Sequence, residues 1–425
     1  MQLEFNYKKV EKFDISQNGI QIIEDENKIE IYNDVFRTVP IFITNDKNGE
    51  LIIFSNFEDL GAQRVAINIA NGLSEQYKIN FIILENIGPF GEYLNKTIKI
   101  IDLSKSSINI PKMRVFTKMI SYVNWVEKNK TDIAISFAPI TNFYILYAKY
   151  KNTFLKTIIQ EHAYPSIALK DRGNSSFLYE MLFKCFLVKK YNNSDIFLTI
   201  AEAIKDDFVE NFNVRKDFFR IVRNPLDIEK IENMSKEEVK DFNFDKNKKY
   251  IIGVGRLVPQ KNFKFLIEVF YEVRKLNKNV ELIILGKGNL RDTLYNYTKS
   301  LGIEKYVHFL GFKKNPYKYI ARSDIFCLTS IWEGLPQVLA EAMICKTPII
   351  SHKCKSGPDE MIVHNKTGIL VEYNNKKDFV TEILKILNDI SLVNNLVKEA
   401  YIYAKNEYSL DNVINRYKNI IEDLK

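Results

Sequence analysis

Short apolar runs recur along this chain in two series, and most are followed by a polar or glycine-bearing loop and a segment with apolar residues at helical spacing. The first series predicts strands at residues 51–55, 81–84, 98–103, 133–137, 157–159 and 196–199. A helix is predicted at 64–73, where Val65, Ile69 and Leu73 share one face. The pattern restarts after Asn224-Pro225-Leu226-Asp227 and a charged stretch, with strands at 250–255, 281–285, 307–310, 325–329, 348–351 and 368–371 and helices at 263–276 and 290–301. Strands alternating with helices call for open sheets covered by helices, so the fold class is α/β with two Rossmann-like domains, at 48–225 and 226–405, facing a central cleft. Residues 1–47, with alternating stretches at 19–23, 28–32 and 39–44, read as a small β-rich appendage. Residues 406–425 read as a terminal helix packing back on the first domain.

A chain of 425 residues with 46% hydrophobic and 27% charged residues has material for two large cores. No apolar run reaches the length of a spanning helix, and the first fifteen residues mix acids and bases without an apolar centre, so the expected location is cytoplasmic. The four cysteines form no CxxC pair and the four histidines no close ligand spacing, which argues against a structural zinc or a disulfide framework. The net charge of +8 is uneven: residues 101–200 carry 14 basic against 7 acidic side chains. Two uses of that excess remain open, a solvated surface or transient contact with an anionic membrane. Lys112, Arg114 and Lys118 adjoin Met113, Val115, Phe116, Met119 and Ile120, while Lys184, Lys189 and Lys190 adjoin Phe183, Phe186, Leu187 and Val188. Nucleic acid is disfavoured, because the basic residues are not interleaved with aromatic ones in a recognition motif.

The chemistry concentrates in the second domain. In Gly253 to Asn262, GVGRLVPQKN, Gly253 and Gly255 allow close turns, while Arg256 and Lys261 can approach one anion from one loop. A diphosphate fits this pair, and the absence of a Walker ending argues against a kinase or ATPase. In Ser330 to Met343, SIWEGLPQVLAEAM, Glu333 lies in a loop, Gly334 eases the turn, Pro336 suits the first helical position and Glu341 falls about one turn inside the helix. Glu333 can accept from sugar hydroxyls, Glu341 can reach a ribose, and backbone N–H groups from Leu335 to Val338 can receive phosphate oxygens. Read on their own, two glutamates near a helix are equally compatible with a structural or solvated role.

Together, Gly255-Arg256-Leu257, Gln260-Lys261-Asn262, Leu285-Gly286-Lys287-Gly288, and Glu333 followed after seven residues by Glu341 resemble the retaining glycosyltransferases of family 4, also called group 1, which have the two-domain GT-B fold. His308-Phe309-Leu310-Gly311, Gly357-Pro358-Asp359-Glu360, and Asn365 with Gly368 add to the resemblance. It is strongest from about residue 250 to 375, weaker over 51–415, and does not include 1–47. The resemblance implies transfer of a hexose or N-acetylhexosamine from a nucleotide sugar, with a UDP-sugar expected, to a hydroxyl of a growing bacterial surface glycan. The resemblance further implies a lipid-linked acceptor, met at the inner face of the cytoplasmic membrane.

The resemblance also places Arg256 and Lys261 at the donor diphosphate, Glu333 at the donor sugar, Glu341 at the ribose, and Gly311 and Phe312 beside the base. Gly255, Gly286, Gly334, Leu335, Pro336 and Val338 line the donor site. In the first domain, Gly61 matches the second of two glycines common in the family, Leu60 replacing the first, and His162 occupies the position of a cleft histidine. His162, Arg256, Lys261 and Glu333 carry the expected catalytic roles. The alternatives in kind are a non-hydrolysing nucleotide-sugar epimerase and a catalytically silent glycan- or nucleotide-binding protein.

With Arg256 and Lys261 available to the leaving diphosphate and no Asp-x-Asp sequence, no cofactor or metal is expected to be obligatory. Transfer activity is therefore predicted to persist after thorough chelation. Loss of turnover restored by a stoichiometric divalent ion at fixed ionic strength would overturn that expectation.

Overall fold

The computed structural model describes residues 20–25, 28–33, 40–43, 50–54, 61–83, 92–103, 114–129, 132–137, 139–162, 164–166, 188–354 and 357–424. The first domain is built on an eight-stranded sheet in the order β10-β9-β8-β7-β3-β4-β5-β6. Its strands are β3 (Pro40–Ile43), β4 (Glu50–Phe54), β5 (Lys78–Ile83), β6 (Lys99–Asp102), β7 (Ile133–Ser136), β8 (Lys156–Glu161), β9 (Ile196–Thr199) and β10 (Phe219–Ile221). All neighbours pair in parallel except β3, which runs antiparallel to both β4 and β7.

That arrangement corrects the expected boundary at residue 47. Only β1 (Ile20–Asp25) and β2 (Lys28–Asn33) form a separate two-stranded antiparallel sheet, whereas β3 lies in the middle of the large one. An apolar run shows that a strand wants two neighbours, but not which two. Here β3 supplies backbone partners to β4 on one side and β7 on the other.

The second domain holds a six-stranded parallel sheet in the order β13-β12-β11-β14-β15-β16, comprising β11 (Lys249–Val254), β12 (Val280–Leu285), β13 (Val307–Gly311), β14 (Ile325–Leu328), β15 (Ile349–Lys353) and β16 (Ile369–Glu372). The period-two geometry of a strand sorts its side chains between two faces. Ile251, Leu282, Ile284, Ile325, Cys327 and Ile350 face the helices Phe263–Leu276 and Lys376–Asn388. Ile252, Ile283, Phe326, Leu328 and Ile349 face the other way, into a core shared with the helix Gln337–Ile344 and the C-terminal helices. Burial on both faces explains why these strands read as continuous apolar runs.

The chain crosses between domains twice, and the two crossings are tied together. The Leu226 N–H donates to the Tyr408 carbonyl at 2.7 Å, and Leu226 bridges Ser409 in parallel. Ser409, with extended backbone, ends the helix Ile390–Tyr408, and its hydroxyl accepts from the Asn412 N–H to start the helix Leu410–Glu422. That last helix packs on the first domain: Tyr417 bonds Gln160, and the Tyr77 hydroxyl donates to Glu422 at 2.9 Å.

A Cβ on Gly72, in the helix Gly61–Leu73, would lie 2.4 Å from Cγ1 of the buried Ile414. Small size at residue 72 is what lets the terminal helix come this close. Gly72→Leu is predicted to destabilise the protein by about 1–3 kcal/mol through overpacking, with part of the loss recovered by adding Ile414→Ala. Denaturant midpoints of the three variants check this, and an unchanged Gly72→Leu midpoint would refute it.

Candidate active site

The carboxyl ends of β11, β12 and β13 are joined by backbone contacts that leave no room for a Cβ at residue 286. The Gly255 N–H donates to the Leu285 carbonyl and the Gly286 N–H to the Gly311 carbonyl, each at 2.9 Å. Gly286 has φ +143°, and a Cβ on it would sit 1.8 Å from the Gly255 carbonyl oxygen. At Gly288 a Cβ would approach the Leu257 carbonyl to 2.3 Å. The result is a floor of bare backbone at the strand ends, where ligands of open α/β sheets bind. Phe312, beyond the floor's Gly311 edge, is 62% exposed.

Lys261 rises from a 3₁₀ turn, Pro259–Lys261, that ends at Asn262 in the left-handed region. Its Nζ lies 2.5 Å from Oε1 of Glu333, which also accepts the Ser330 hydroxyl at 2.5 Å. The Lys261 and Glu333 side chains are only 15% and 7% exposed, so each charge depends on its partners. Two loops far apart in sequence are stitched around this pair. The Ile331 N–H donates to the Gln260 carbonyl at 2.8 Å, the Gln260 side chain donates to the Trp332 carbonyl at 3.1 Å, and the Thr329 hydroxyl reaches the Lys261 and Asn262 carbonyls, 3.2 Å from each. Arg256 stands exposed on the same loop as Lys261.

Behind the stitching sits His352, fully buried among Phe265, Tyr373 and Phe379. Its Nδ1 is 3.1 Å from the Thr329 carbonyl, which can only accept, so Nδ1 carries the proton. Burial pushes its pKa down to about 4. Sequence reading assigned His352 nothing, since a histidine at the end of an apolar strand carries no local signal of the carbonyl it will meet.

The helix after Glu333 begins at Gln337, one residue later than expected. Pro336 is its N-cap, with ψ 92° and no side-chain capping bond, because proline's fixed φ suits either position while its ψ here is not helical. Leu335, Leu339 and Ala342 are buried, Val338 is partly buried, and Glu341 accepts the Tyr317 hydroxyl at 3.2 Å. Gly357, at φ +88°, presses on the same turn: a Cβ there would lie 2.6 Å from the Gly334 carbonyl and 2.9 Å from Pro336 Cδ.

From the first domain, His162 follows β8 directly, and its carbonyl oxygen is 3.3 Å from where a Cβ on Gly334 would be. The cleft histidine and the Glu333 loop therefore meet. Both ring nitrogens of His162 are buried, and burial lowers its pKa to about 4, keeping it neutral. The preceding Glu161 is bonded by the Tyr191 hydroxyl at 2.5 Å and the Asn142 amide at 2.8 Å, yet burial dominates and pushes its carboxyl up to about 8. Gly61 opens a helix beyond β4, and the loop leading to it lies outside the described residues.

A further contact joins the domains. Glu360 accepts from the Glu202 and Ala203 N–H groups at 2.7 and 2.8 Å, capping the first-domain helix Glu202–Phe212, and from Arg223 at 3.1 Å. Arg223 also donates to the Ile200 carbonyl at 2.7 Å. The Gly357-Pro358-Asp359-Glu360 motif was visible in sequence, but its cross-domain partners were not.

Residues 234–403 match the family model described as glycosyl transferases group 1. The chain is 28% identical over 338 residues, 78% of its length and 88% of the relative's, to the Campylobacter jejuni N-acetylgalactosamine-N,N'-diacetylbacillosaminyl-diphospho-undecaprenol 4-alpha-N-acetylgalactosaminyltransferase. Residues 234–403 belong to the group 1 glycosyl transferase family. An Escherichia coli relative of this glycosyltransferase, the UDP-Gal:alpha-D-GlcNAc-diphosphoundecaprenol alpha-1,3-galactosyltransferase, is 24% identical over 86% of this chain and 94% of its own. In fold the chain is similar to Anabaena HepE, solved in complex with UDP, with TM-score 0.70 and 17% identity over 88% of this chain and 98% of that one. The expected GT-B architecture is therefore present. Among the described residues no helix is long and apolar enough to cross a membrane.

The expected basic and apolar surface stretch is corrected where it is described. Lys118 is 6% exposed and Met119 and Val188 are buried, because they face the core sides of their helices, whereas Ile120, Lys189 and Lys190 are exposed. Residues 112 and 113, residues 183–187 and the side chains of 114–116 lie outside the described part of the structure.

The buried titratable groups predict the dependence of stability on pH. An unfolded histidine titrates near ~6.5, so between about 6.5 and 4 the unfolded chain takes up protons that folded His162 and His352 refuse, and stability falls as pH falls. Glu161 has the opposite sign: folded, it keeps a proton up to about 8 that the unfolded chain has lost, so its contribution declines as pH rises toward 8. Two histidines outweigh one glutamate below pH ~6.5, and Glu161 acts alone above it. Urea midpoints should therefore peak near pH ~6.5, and Glu161→Gln should flatten the decline between ~6.5 and ~8. A midpoint rising steadily from pH ~5 to ~8 in the unaltered protein would refute this assignment.

Proposed function

We propose that this chain is a retaining, family 4 type transferase. It would move a hexose or N-acetylhexosamine from a UDP-sugar to a hydroxyl of a lipid-linked surface glycan, without an obligatory metal. The carrying observation is the buried Lys261–Glu333 pair beside the glycine floor, on the loop whose Gly334 meets the His162 carbonyl. It sets a fixed positive charge and a fixed carboxylate a few ångströms apart, as a diphosphate joined to a sugar requires.

In this reading the diphosphate lies over Gly255 and Gly286, with Arg256 and Lys261 countering the charge that grows on it as the bond to the sugar breaks. The first-turn N–H groups of the helix Gln337–Ile344 donate to further phosphate oxygens. Glu333 holds sugar hydroxyls, Glu341 reaches the ribose, and Gly311 and Phe312 border the base. Neutral His162 orients a sugar hydroxyl. Glu333 is not assigned as a nucleophile, since its Oε1 already serves Lys261 and Ser330. The bond from the anomeric carbon to phosphate breaks, the bond to the acceptor oxygen forms on the same face, and the acceptor's proton passes to the departing phosphate.

Two observations support the choice of substrates. The named relatives act on undecaprenol-diphosphate-linked glycans, and one name specifies a UDP-sugar donor and an alpha linkage. A lipid-linked acceptor would bring the first domain to an anionic membrane face, toward which the exposed Lys189 and Lys190 offer charge.

Arg256→Ala and Lys261→Ala are each predicted to lower kcat/KM by on the order of 10², and Glu333→Gln to impair sugar positioning with a loss in the same direction. Acceptor-dependent release of UDP, followed by intact-product analysis, measures it. Stereochemical change of the donor sugar without acceptor-dependent release would replace the transferase reading with an epimerase. Normal turnover in all three folded variants would remove the assigned roles.

A further inference from the structure

One buried side chain behind the site makes a polar contact that its own strand does not require. The β14–β15 pairing ends at Leu328 and Ser351 and the β11–β14 pairing at Phe326, so Thr329 and Ser330 lie beyond the ladder on both sides. β15 itself continues, held by β16 through the register of His352 with Val371. From that fixed strand His352 reaches back across the gap, its Nδ1 donating to the Thr329 carbonyl at 3.1 Å. A side chain here supplies the bond that the sheet no longer gives.

The surroundings of His352 do not otherwise call for a histidine. It is fully buried, with the ring centroids of Phe265, Tyr373 and Phe379 at 4.4, 5.3 and 5.3 Å. Burial lowers its pKa to about 4 against the attraction of the Thr329 and Ser330 backbone, so the ring is neutral, and Nε2 has no partner in hydrogen-bond geometry. A phenyl ring would fill the same aromatic pocket without a buried nitrogen lone pair. What imidazole adds is its single N–H.

The use of that N–H lies in what the 329–330 segment holds. The Thr329 hydroxyl reaches the Lys261 and Asn262 carbonyls, 3.2 Å from each, and the Ser330 hydroxyl donates to Glu333 at 2.5 Å. Lys261 and Glu333 thus take their places from two adjacent residues, the first of which is tied to His352. We propose that His352 is a positioning residue for transfer, acting through Thr329 and Ser330 to set the Lys261 ammonium against the Glu333 carboxylate. Being fully buried, it is not itself a substrate contact. The role rests on the transferase reading above. Displacing groups aimed at charge that develops in the reaction costs rate more than it costs ground-state binding.

Two substitutions separate positioning from packing. His352→Asn keeps a donor at the δ position and gives up the ring, whereas His352→Phe keeps a ring and gives up the N–H. Positioning requires His352→Phe to lower kcat about tenfold with the donor KM within about twofold of wild type. His352→Asn should stay within about threefold of the wild-type kcat. A role in packing alone would reverse that order. Urea midpoints establish that both variants are folded under the assay conditions. In the Glu333→Gln background His352→Phe should cost little more, so that the two losses do not multiply.

Should neither variant fold, protein labelled with ¹⁵N-histidine reads the same coupling in reverse. Glu333→Gln and Lys261→Ala should each shift the His352 ring resonances, assigned by removing His162, His308 and His364 in turn. A slower His352→Asn than His352→Phe, losses that multiply across the cycle, or His352 resonances unmoved by both variants would each overturn the positioning role while leaving the transferase standing. Absence of turnover of every nucleotide sugar by wild type would overturn the transferase reading, and the role of His352 with it.

Discussion

A lysine and a glutamate, both largely removed from water, face each other at 2.5 Å where the β11 and β14 loops meet. Neither charge would be stable there without the other, and the pair lasts only while the two loops keep their register. Much of the surrounding structure serves that requirement. The Thr329 hydroxyl holds the Lys261 loop, the Gln260–Ile331–Trp332 contacts close the gap, and His352 fixes Thr329 from beneath. The glycine floor has a related logic, since it removes side chains wherever neighbouring strand ends must approach one another.

The second domain alone does not complete the cleft. Glu360 caps a helix of the first domain, Leu226 is bonded to Tyr408, and the last helix lies on the first domain through Tyr417 and Ile414. These contacts share one side of the molecule's connectivity, the two chain crossings and the turn that follows Gly357. That turn abuts Gly334, which in turn abuts His162. A shift between domains would therefore be felt at the Glu333 loop without any long relay, because one short segment touches both.

Burial sets the charge state of the cleft's supports in opposite senses. His162 and His352 are held neutral and Glu161 is held protonated well above the usual carboxylate range. Among the described residues, neutral His162 stands on the first-domain side, and the charged Arg256, Lys261 and Glu333 stand on the second domain's loops.

The alternation of strands and helices, the two-domain division and the loops of Gly255 and Glu333 were legible in the sequence. Apolar periodicity and glycine placement are local consequences of backbone geometry. The shared motifs likewise carried the family, because charge and glycine at fixed spacing along one loop are a linear signal. Other features are not linear. The central place of β3, the inward turn of Lys118, the cap that Glu360 provides 158 residues from Glu202 and the carbonyl that His352 meets all arise when distant segments pack together. Hydrogen-bond satisfaction and burial are decided by neighbours in space, so only the tertiary structure could say which of the chain's many polar residues hold its loops together.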